Sequence, residues 1–355
     1  MKAIILCAGL GTRLRPLTFT RAKHLIPVGN KPVLFYGIES LIEVGVRQIG
    51  MIVSKESEPI IAGACGKGER WGIEVSYIEQ PQPRGLAHAC ACAKEFVAGD
   101  EFIMYLGDNI IPEGLTGSVE QFRRTRANAV IMLKEVEDPR AFGIAVLEGE
   151  RIARLVEKPK DPPSNLAIVG GYIFDATIFD SIRQIKPSWR NEYEITDAIQ
   201  KSIELGRAVY PYVMKGWWKD TGKPEDILGA NQAVLDGLEP LNEGTVDADS
   251  RIEGKVRIGK GSKIVRSTVR GPVVIGDGVE IADSQIGPYA SIGDGNRIER
   301  CVLANSVVMD GCTLRDVRQP IEASLLGCKV EITGQPQPSP TVSLVLGDMC
   351  RVVIG

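Results

Sequence analysis

The stretch IGDGVEIADSQIGPYASIGDGNRI, residues 275–298, decides how the second half of the chain is read. Ile275 and Ile281 lie six positions apart, as do Ile286, Ile292 and Ile298. Ile-Gly pairs recur at 258–259, 275–276, 286–287 and 292–293. A six-residue apolar period is the mark of a hexapeptide β-helix, in which each short strand stacks one apolar side chain inward on the previous coil. The competing reading is a β-meander with coincidental spacing.

Working outward, residues 250–355 form the expected β-helix domain. Its pattern is broken at 335–340 (QPQPSP), read as a loop, and 341–355 is read as returning strands. Upstream, LEPLNEGTVDAD at 238–249 is the expected linker. Residues 1–237 have another texture. KAIILCA, IGMIVS, IEVSYI, EFIMYLGD, AVIMLKEV and GGYIF read as strands. VLFYGIESLIEVG, GLAHACACAKEFV, EITDAIQKSIELG and PEDILGANQAVLDG read as helices. This alternation predicts an α/β domain built on a mostly parallel sheet covered on both faces. Ligands of such sheets sit beyond the carboxyl ends of the strands, where LCAGLGTR and LGDN fall.

Composition narrows the function classes. The chain has 355 residues and a formal net charge of −3, so there is no overall basic field for nucleic acid or an anionic membrane. No apolar run is long enough to span a bilayer, and the N-terminal run is too short for a signal peptide. Eight scattered cysteines without a CxxC pair or zinc spacing fit a reducing cytoplasm. Cys90 and Cys92 sit on a helical pattern and read as small core residues.

The loop LCAGLGTRLRPLT, residues 6–18, follows the first strand. It lacks the third small residue of a dinucleotide fingerprint and the GK[ST] of a Walker loop. The remaining reading is a backbone nest, in which successive N–H groups point at an anion and Arg13 adds a planar fork of donors.

Together with RAKHLIPVGNKPVLFY at 21–36, this loop resembles the sugar-1-phosphate nucleotidylyltransferases. The resemblance continues through QPQPRGLAHA (80–89), YLGDN (105–109), AFGIAVLEG (141–149), VEKPKDPPSN (156–165), RNEYEITDAI (190–199) and GWWKDTGKPEDIL (216–228). It spans about 235 residues in order and then the β-helix, as in the long-form thymidylyltransferase branch. It implies a Rossmann-like nucleotidyltransferase domain followed by a left-handed β-helix. It also implies dTTP and glucose-1-phosphate as substrates, Mg²⁺ as cofactor, and a cytoplasmic homo-oligomer without nucleic-acid or membrane partners.

The implied reaction joins a sugar-1-phosphate to the α-phosphate of a nucleoside triphosphate and releases pyrophosphate. Two polyanions must be brought together, and their repulsion offset by fixed cations. The resemblance assigns Arg13 and Lys23 to that catalytic task. It assigns Asp108 and Asp220 to Mg²⁺, a hard cation that prefers oxygen ligands. Ala8, Gly9, Leu10, Gly11, Thr12, Arg13, His24, Gln80, Gly85, Asp108 and Asn109 are the implied nucleotide set. The Gln80 amide offers a donor and an acceptor to the imide edge of thymine or uracil. Gly143, Glu157, Lys158, Ile168, Gly170, Tyr172 and Arg190 are the implied sugar-phosphate set. Two positions depart from the family pattern, the first touching base selection and the second leaving the backbone N–H donors of the loop in place. His24 stands where close relatives often have Gln, and Ala8 and Leu10 stand where many have Gly and Ser.

Other readings are weighed against this one. UTP or another hexose phosphate is the alternative within the class. An acyltransferase β-helix would need a histidine base, and no histidine follows His88. A non-catalytic regulatory subunit would have lost Arg13, Lys23 or one of the aspartates, and all four are present.

Overall fold

The computed structural model describes residues 1–334, so the expected loop at 335–340 and the strands after it lie outside the described residues. The chain divides into two compact units. The first comprises Met1–Leu10, Arg21–Leu25 and Val33–Asp220. The second comprises Gly11–Thr20, Ile26–Pro32 and the chain from Thr221. Among the described residues, no helix is long and apolar enough to cross a membrane.

The first unit is built on a nine-stranded sheet. Its centre is Lys2–Leu6, flanked in parallel by Gln48–Val53 and Phe102–Leu106, with Glu74–Glu79 beyond Gln48–Val53. The central strand is buried on both faces and sorts its side chains with period two. Ala3, Ile5 and Cys7 join one core cluster, while Ile4 and Leu6 join the other. The first cluster is covered by the helix Val33–Glu43, through Leu34, Phe35, Ile38 and Leu41. The second is covered by Leu86–Cys92 and Ile195–Glu204, through Ala87, Cys90, Ile195 and Ile199. Cys90 is thus a core residue, as its helical setting predicts, whereas Cys92 at the end of the same helix is only half-buried. The other half of the sheet turns antiparallel at Leu166–Phe174, which pairs with Phe102–Leu106, Ala129–Glu135 and Gly143–Glu148.

The second unit contains the coil predicted from the six-residue period. Its short strands form three sheets in which every pairing is parallel. Val256 aligns with Val273 and Val273 with Ala290, so one coil takes 17 residues, close to three hexapeptides. Each face stacks one inward residue per coil: Ile258, Ile275, Ile292 and Val308; Ile264, Ile281, Ile298 and Leu314; Val269, Ile286 and Leu303. All are at most 1% exposed, which makes this column the hydrophobic core of the left-handed β-helix. Strands at Leu241–Asn242 and Thr245–Val246 already pair with the coil, inside the segment read as a linker.

The helix Pro224–Asp236 and the short hairpin Pro27–Val28/Lys31–Pro32 belong to this second unit. Asn231, 1% exposed, joins them to the coil. Its Oδ1 accepts from Gly29 N at 2.9 Å and from Ser291 Oγ at 2.6 Å, and its Nδ2 donates to Tyr289 O at 3.0 Å. A buried amide satisfied on both ends fixes one arrangement of its neighbours.

Candidate functional site

In the first unit the parallel strands end side by side. Cys7 N donates to Ile52 O, Gly107 N to Leu6 O, and Gln80 N to Val53 O. The segments beginning at Cys7, Gln80 and Gly107 therefore leave one carboxyl edge of the sheet, the usual place for a ligand.

Asp108 stands just past the strand Phe102–Leu106. The next residues, Asn109–Ile110, form a two-stranded antiparallel ladder with Lys219–Asp220, in which Asp220 lies opposite Asn109. This ladder brings together two aspartates 112 positions apart in sequence. Lys23 enters from the turn Lys23–Leu25, and its Nζ is ion-paired with Asp108 Oδ2. Asp108 Oδ1 accepts from Asn109 Nδ2 at 2.9 Å. Both charged side chains are largely buried, 16% and 14% exposed. Burial pushes the Asp108 carboxyl up, but the Lys23 ammonium and the bonds from Lys23 and Asn109 win and hold it well below the usual carboxylate range. It is therefore ionised at neutral pH.

A side chain at Gly9 would meet Lys23 Cε at 3.0 Å, so the glycine lets the first loop lie against the lysine stem. Ala8 is buried beside it, and Leu10 is 53% exposed. His24 is 1% exposed, with a pKa brought down to about 3 by burial first and by Lys23 second. Its ring is neutral, and its buried Nδ1 has no hydrogen-bond partner among the described residues.

Gln80 and Gly85, which the resemblance implies for base reading, lie on the loop that follows Glu74–Glu79. Gln80 is 6% exposed, and its Nε2 donates to Gly85 O at 3.2 Å. Gly85 has φ 101°, and a Cβ there would fall 2.5 Å from Tyr193 O. The surrounding backbone is strapped to Tyr193, whose N donates to Arg84 O at 2.7 Å and whose O accepts from Ala87 N at 3.0 Å. Gly85→Ala combines a left-handed φ with a backbone collision, and is expected to cost about 2–3 kcal/mol and lower Tm. A Tm equal to wild type by calorimetry would show that the strap yields without strain.

Residues that the resemblance implies for the sugar phosphate gather around Glu157. Gly143 lies opposite it in the strand ladder, where a side chain would meet Thr196 Oγ1 at 2.8 Å. Thr196 Oγ1 donates to Glu157 Oε2 at 2.6 Å. Arg190 reaches Glu157 at 3.6 Å, Glu192 at 3.0 Å and Glu194 at 3.4 Å. Lys158 Nζ is 3.8 Å from Glu157 Oε1, and its backbone takes φ 40°, a strained conformation common at functional positions. The pairing of Leu166–Phe174 with Ala129–Glu135 shifts register between Ile168 and Tyr172. Gly170 sits in that irregularity, and a side chain there would strike Asn109 Cγ at 2.5 Å. Tyr172 is 3% exposed and stacks on Phe174, with its hydroxyl pKa raised by burial first and by Glu157 and Asp108 after it.

Two residues not singled out from sequence complete this geometry. Thr196 orients Glu157. Trp218 donates from Nε1 to Asn109 Oδ1 at 2.6 Å and packs its ring on Phe142 at 5.1 Å. Both lie inside quoted motifs, EITDAI and GWWKDTG, but only the tertiary structure reveals what they hold.

Gly11, Thr12 and Arg13 fall in the second unit. Gly11 has φ 62° and opens the turn Thr12–Leu14, closed by Leu14 N donating to Gly11 O at 2.9 Å. Thr18 Oγ1 donates to the same carbonyl at 2.8 Å. Leu14 is buried and anchors the turn, while Arg13 is exposed. The Arg15 guanidinium lies over the Phe19 ring at 4.9 Å.

Residues 2–237 match the nucleotidyl transferase family. A low-salt glycan biosynthesis nucleotidyltransferase of Haloferax volcanii is 48% identical over 263 residues, 74% of each chain. A glucose-1-phosphate thymidylyltransferase of Streptomyces griseus is 44% identical over 355 residues, covering 100% of this chain and 99% of its own. Among solved structures, a UDP-glucose pyrophosphorylase complexed with UDP-glucose superposes with a TM-score of 0.60 at 27% identity, covering 66% of this chain and 98% of that one.

Proposed function

Because the chain belongs to the nucleotidyl transferase family, we propose that it transfers a thymidylyl group from dTTP to glucose-1-phosphate, giving dTDP-glucose and pyrophosphate. The observation that carries this reading is the ion pair of Lys23 with Asp108, set beside Asp220 by the strand ladder. A phosphate oxygen of the sugar-1-phosphate attacks the α-phosphorus, a new P–O bond forms, and the bond to pyrophosphate breaks. The protein's task is to hold the two anions in line and to disperse the charge on the transferring group.

Lys23 is a compact cation at the point where that charge collects. Arg13, on its glycine-opened turn, is assigned to the triphosphate. Glu157, oriented by Thr196, accepts from sugar hydroxyls, and Lys158 and Arg190 face the sugar phosphate. Asp108 is ionised and Asp220 lies on the neighbouring strand, so the donor set is two carboxylates, the oxygen chemistry that suits Mg²⁺. Bound there, the ion would neutralise phosphate charge and raise electrophilicity at phosphorus.

Gln80 reads an imide edge that thymine and uracil share, so this residue does not choose between dTTP and UTP. The thymidylyl assignment is supported by the full-length Streptomyces griseus relative. UTP is the alternative, favoured by the likeness to the UDP-glucose pyrophosphorylase. The test is a matrix of dTTP, UTP, CTP, GTP and ATP against several hexose-1-phosphates, scored by pyrophosphate release. Highest kcat/KM is expected for dTTP with glucose-1-phosphate. A higher value with UTP transfers the assignment to the alternative, and no release with any pair overturns both.

A further inference from the structure

We infer that His88 is a positioning residue that, together with the Gly85 carbonyl, fixes which end of the Gln80 amide is offered to the nucleobase. The inference rests on the proposal that Gln80 reads the base. Its physical basis is a pair of hydrogen bonds made by one atom. Gln80 Nε2 lies 3.2 Å from Gly85 O and 3.0 Å from His88 Nδ1. A backbone carbonyl only accepts, so the amide end facing Gly85 must be the NH₂ group. Its second hydrogen then points at His88, and Nδ1 must accept it. That requires a neutral imidazole with its proton on Nε2.

Both amide hydrogens are thereby used within the protein. What Gln80 has left to offer is its carbonyl oxygen, Oε1. An acceptor there matches the N3–H of thymine or uracil and opposes the bare N3 of cytosine. Were His88 a donor, it would oppose the amide hydrogen, while a turned-over amide would set Oε1 against the Gly85 carbonyl, so either orientation loses one hydrogen bond and neither is held. The turned-over fraction would present NH₂ to the base, and the preference for thymine over cytosine would fall.

The surroundings fit such a device. His88 lies in the first turn of the helix Leu86–Cys92, directly after Gly85. The strap to Tyr193 holds Gly85 O and the start of that helix together, and the Arg84 guanidinium lies over the Tyr193 ring at 5.1 Å. The carbonyl and the imidazole are thus fixed on one short segment, and the Gln80 amide is held between them. Burial first, and the Arg84 charge second, lower the His88 pKa against a backbone bond at Gln82 that raises it. That direction favours the neutral ring, and the 3.0 Å approach to the amide NH₂ assigns Nδ1 as its acceptor.

The experiment compares kcat/KM for dTTP with kcat/KM for CTP in the wild type, His88→Gln, His88→Leu, His88→Lys and Gln80→Leu, each with glucose-1-phosphate. His88→Gln retains an acceptor and is expected to keep the dTTP/CTP ratio within about threefold of wild type. His88→Lys presents only donors and is expected to lower the ratio at least about tenfold, the worth of one misplaced hydrogen bond. The loss should fall on KM for dTTP, with KM for glucose-1-phosphate unmoved. His88→Leu should fall between them, and decides the matter if the Lys variant folds poorly. An unchanged ratio in His88→Lys and His88→Leu, while Gln80→Leu lowers it, overturns the role of His88 and leaves Gln80 as the base reader. An equal fall with both nucleotides is a structural effect and also overturns it. If Gln80→Leu leaves the ratio unchanged, the base-reading assignment itself fails, and the inference falls with it.

Discussion

Asp108→Asn is expected to cut turnover by on the order of 10³-fold while the protein stays folded. The substitution keeps the shape of the side chain and the oxygen that accepts from Asn109 Nδ2 at 2.9 Å. It removes one unit of negative charge from a place 14% exposed, where charge is poorly screened. Two losses follow. A neutral amide is a weak ligand for a hard divalent cation. Lys23 also loses its counter-ion, so on the proposed reading its ammonium is no longer held beside the transferring phosphoryl group. Metal-assisted charge stabilisation is worth several kcal/mol, and each 1.36 kcal/mol is tenfold in rate, so about 4 kcal/mol gives the stated loss.

Metal binding supplies a readout independent of turnover. Mn²⁺ titrated calorimetrically into the wild type should give heat that both Asp108→Asn and Asp220→Asn abolish or weaken at least about tenfold. Stability supplies a third. The Asp108 carboxyl sits below its ordinary range in the fold. Its contribution is therefore present above the unfolded value near 3.9, and is lost as pH falls through the depressed folded value. The Tm gap between wild type and Asp108→Asn should be level above about pH 5 and close in more acid solution. Turnover within threefold of wild type at saturating Mg²⁺ would remove Asp108 from the metal assignment.

How much of this is legible in the sequence depends on the range of the interaction. The β-helix announces itself because each face admits one inward residue per coil, so Ile275 and Ile281 or Ile286 and Ile292 repeat along the chain itself. Leu241–Asn242 and Thr245–Val246 stay hidden, because strands of two residues carry no periodic signal, and LEPLNEGTVDAD reads as a linker. In the sheet, Leu166–Phe174 is buried along nearly its whole length. Such a strand looks the same whether its neighbours run parallel or antiparallel, so the antiparallel half of the sheet leaves no mark in the sequence.

The same distinction holds for the site. Lys23, Asp108, Gln80 and Glu157 stand out because their motifs are local. The interactions that orient them join distant segments. Trp218 finds Asn109, Thr196 finds Glu157, and the glycine at 170 makes room for Asn109. His88 is in view in GLAHA, yet its role rests on a 3.0 Å approach to a side chain eight positions earlier, across a loop whose path the sequence does not specify. The turn Thr12–Leu14 reads as part of the first domain, but in the fold it belongs to the second unit.

Arg13 carries the other large expected effect. Arg13→Ala should lower kcat by about 10²–10³-fold, the usual result of removing one preorganised donor from developing charge. Gly11 takes a left-handed conformation that residues with a Cβ rarely adopt, and Leu14 is buried. The backbone of Thr12 and Arg13 is therefore pinned at both ends, which keeps a donor in place without reorganisation. On the proposed reading the guanidinium bridges two phosphate oxygens, and those oxygens gain charge as the bonds at phosphorus change. The loss should then appear in kcat as well as in KM. Arg13→Lys preserves the charge but not the planar fork, and should recover little. Arg15 is the internal control. It lies two residues on, carries the same charge, and already stacks on Phe19 at 4.9 Å. Arg15→Ala should therefore change kcat/KM by less than about tenfold, with any cost appearing mainly in Tm through the lost ring contact. Steady-state kinetics with dTTP and glucose-1-phosphate decide between the two arginines. If Arg15→Ala is the more damaging alanine variant, or if Arg13→Lys behaves as wild type, the triphosphate is not held by Arg13.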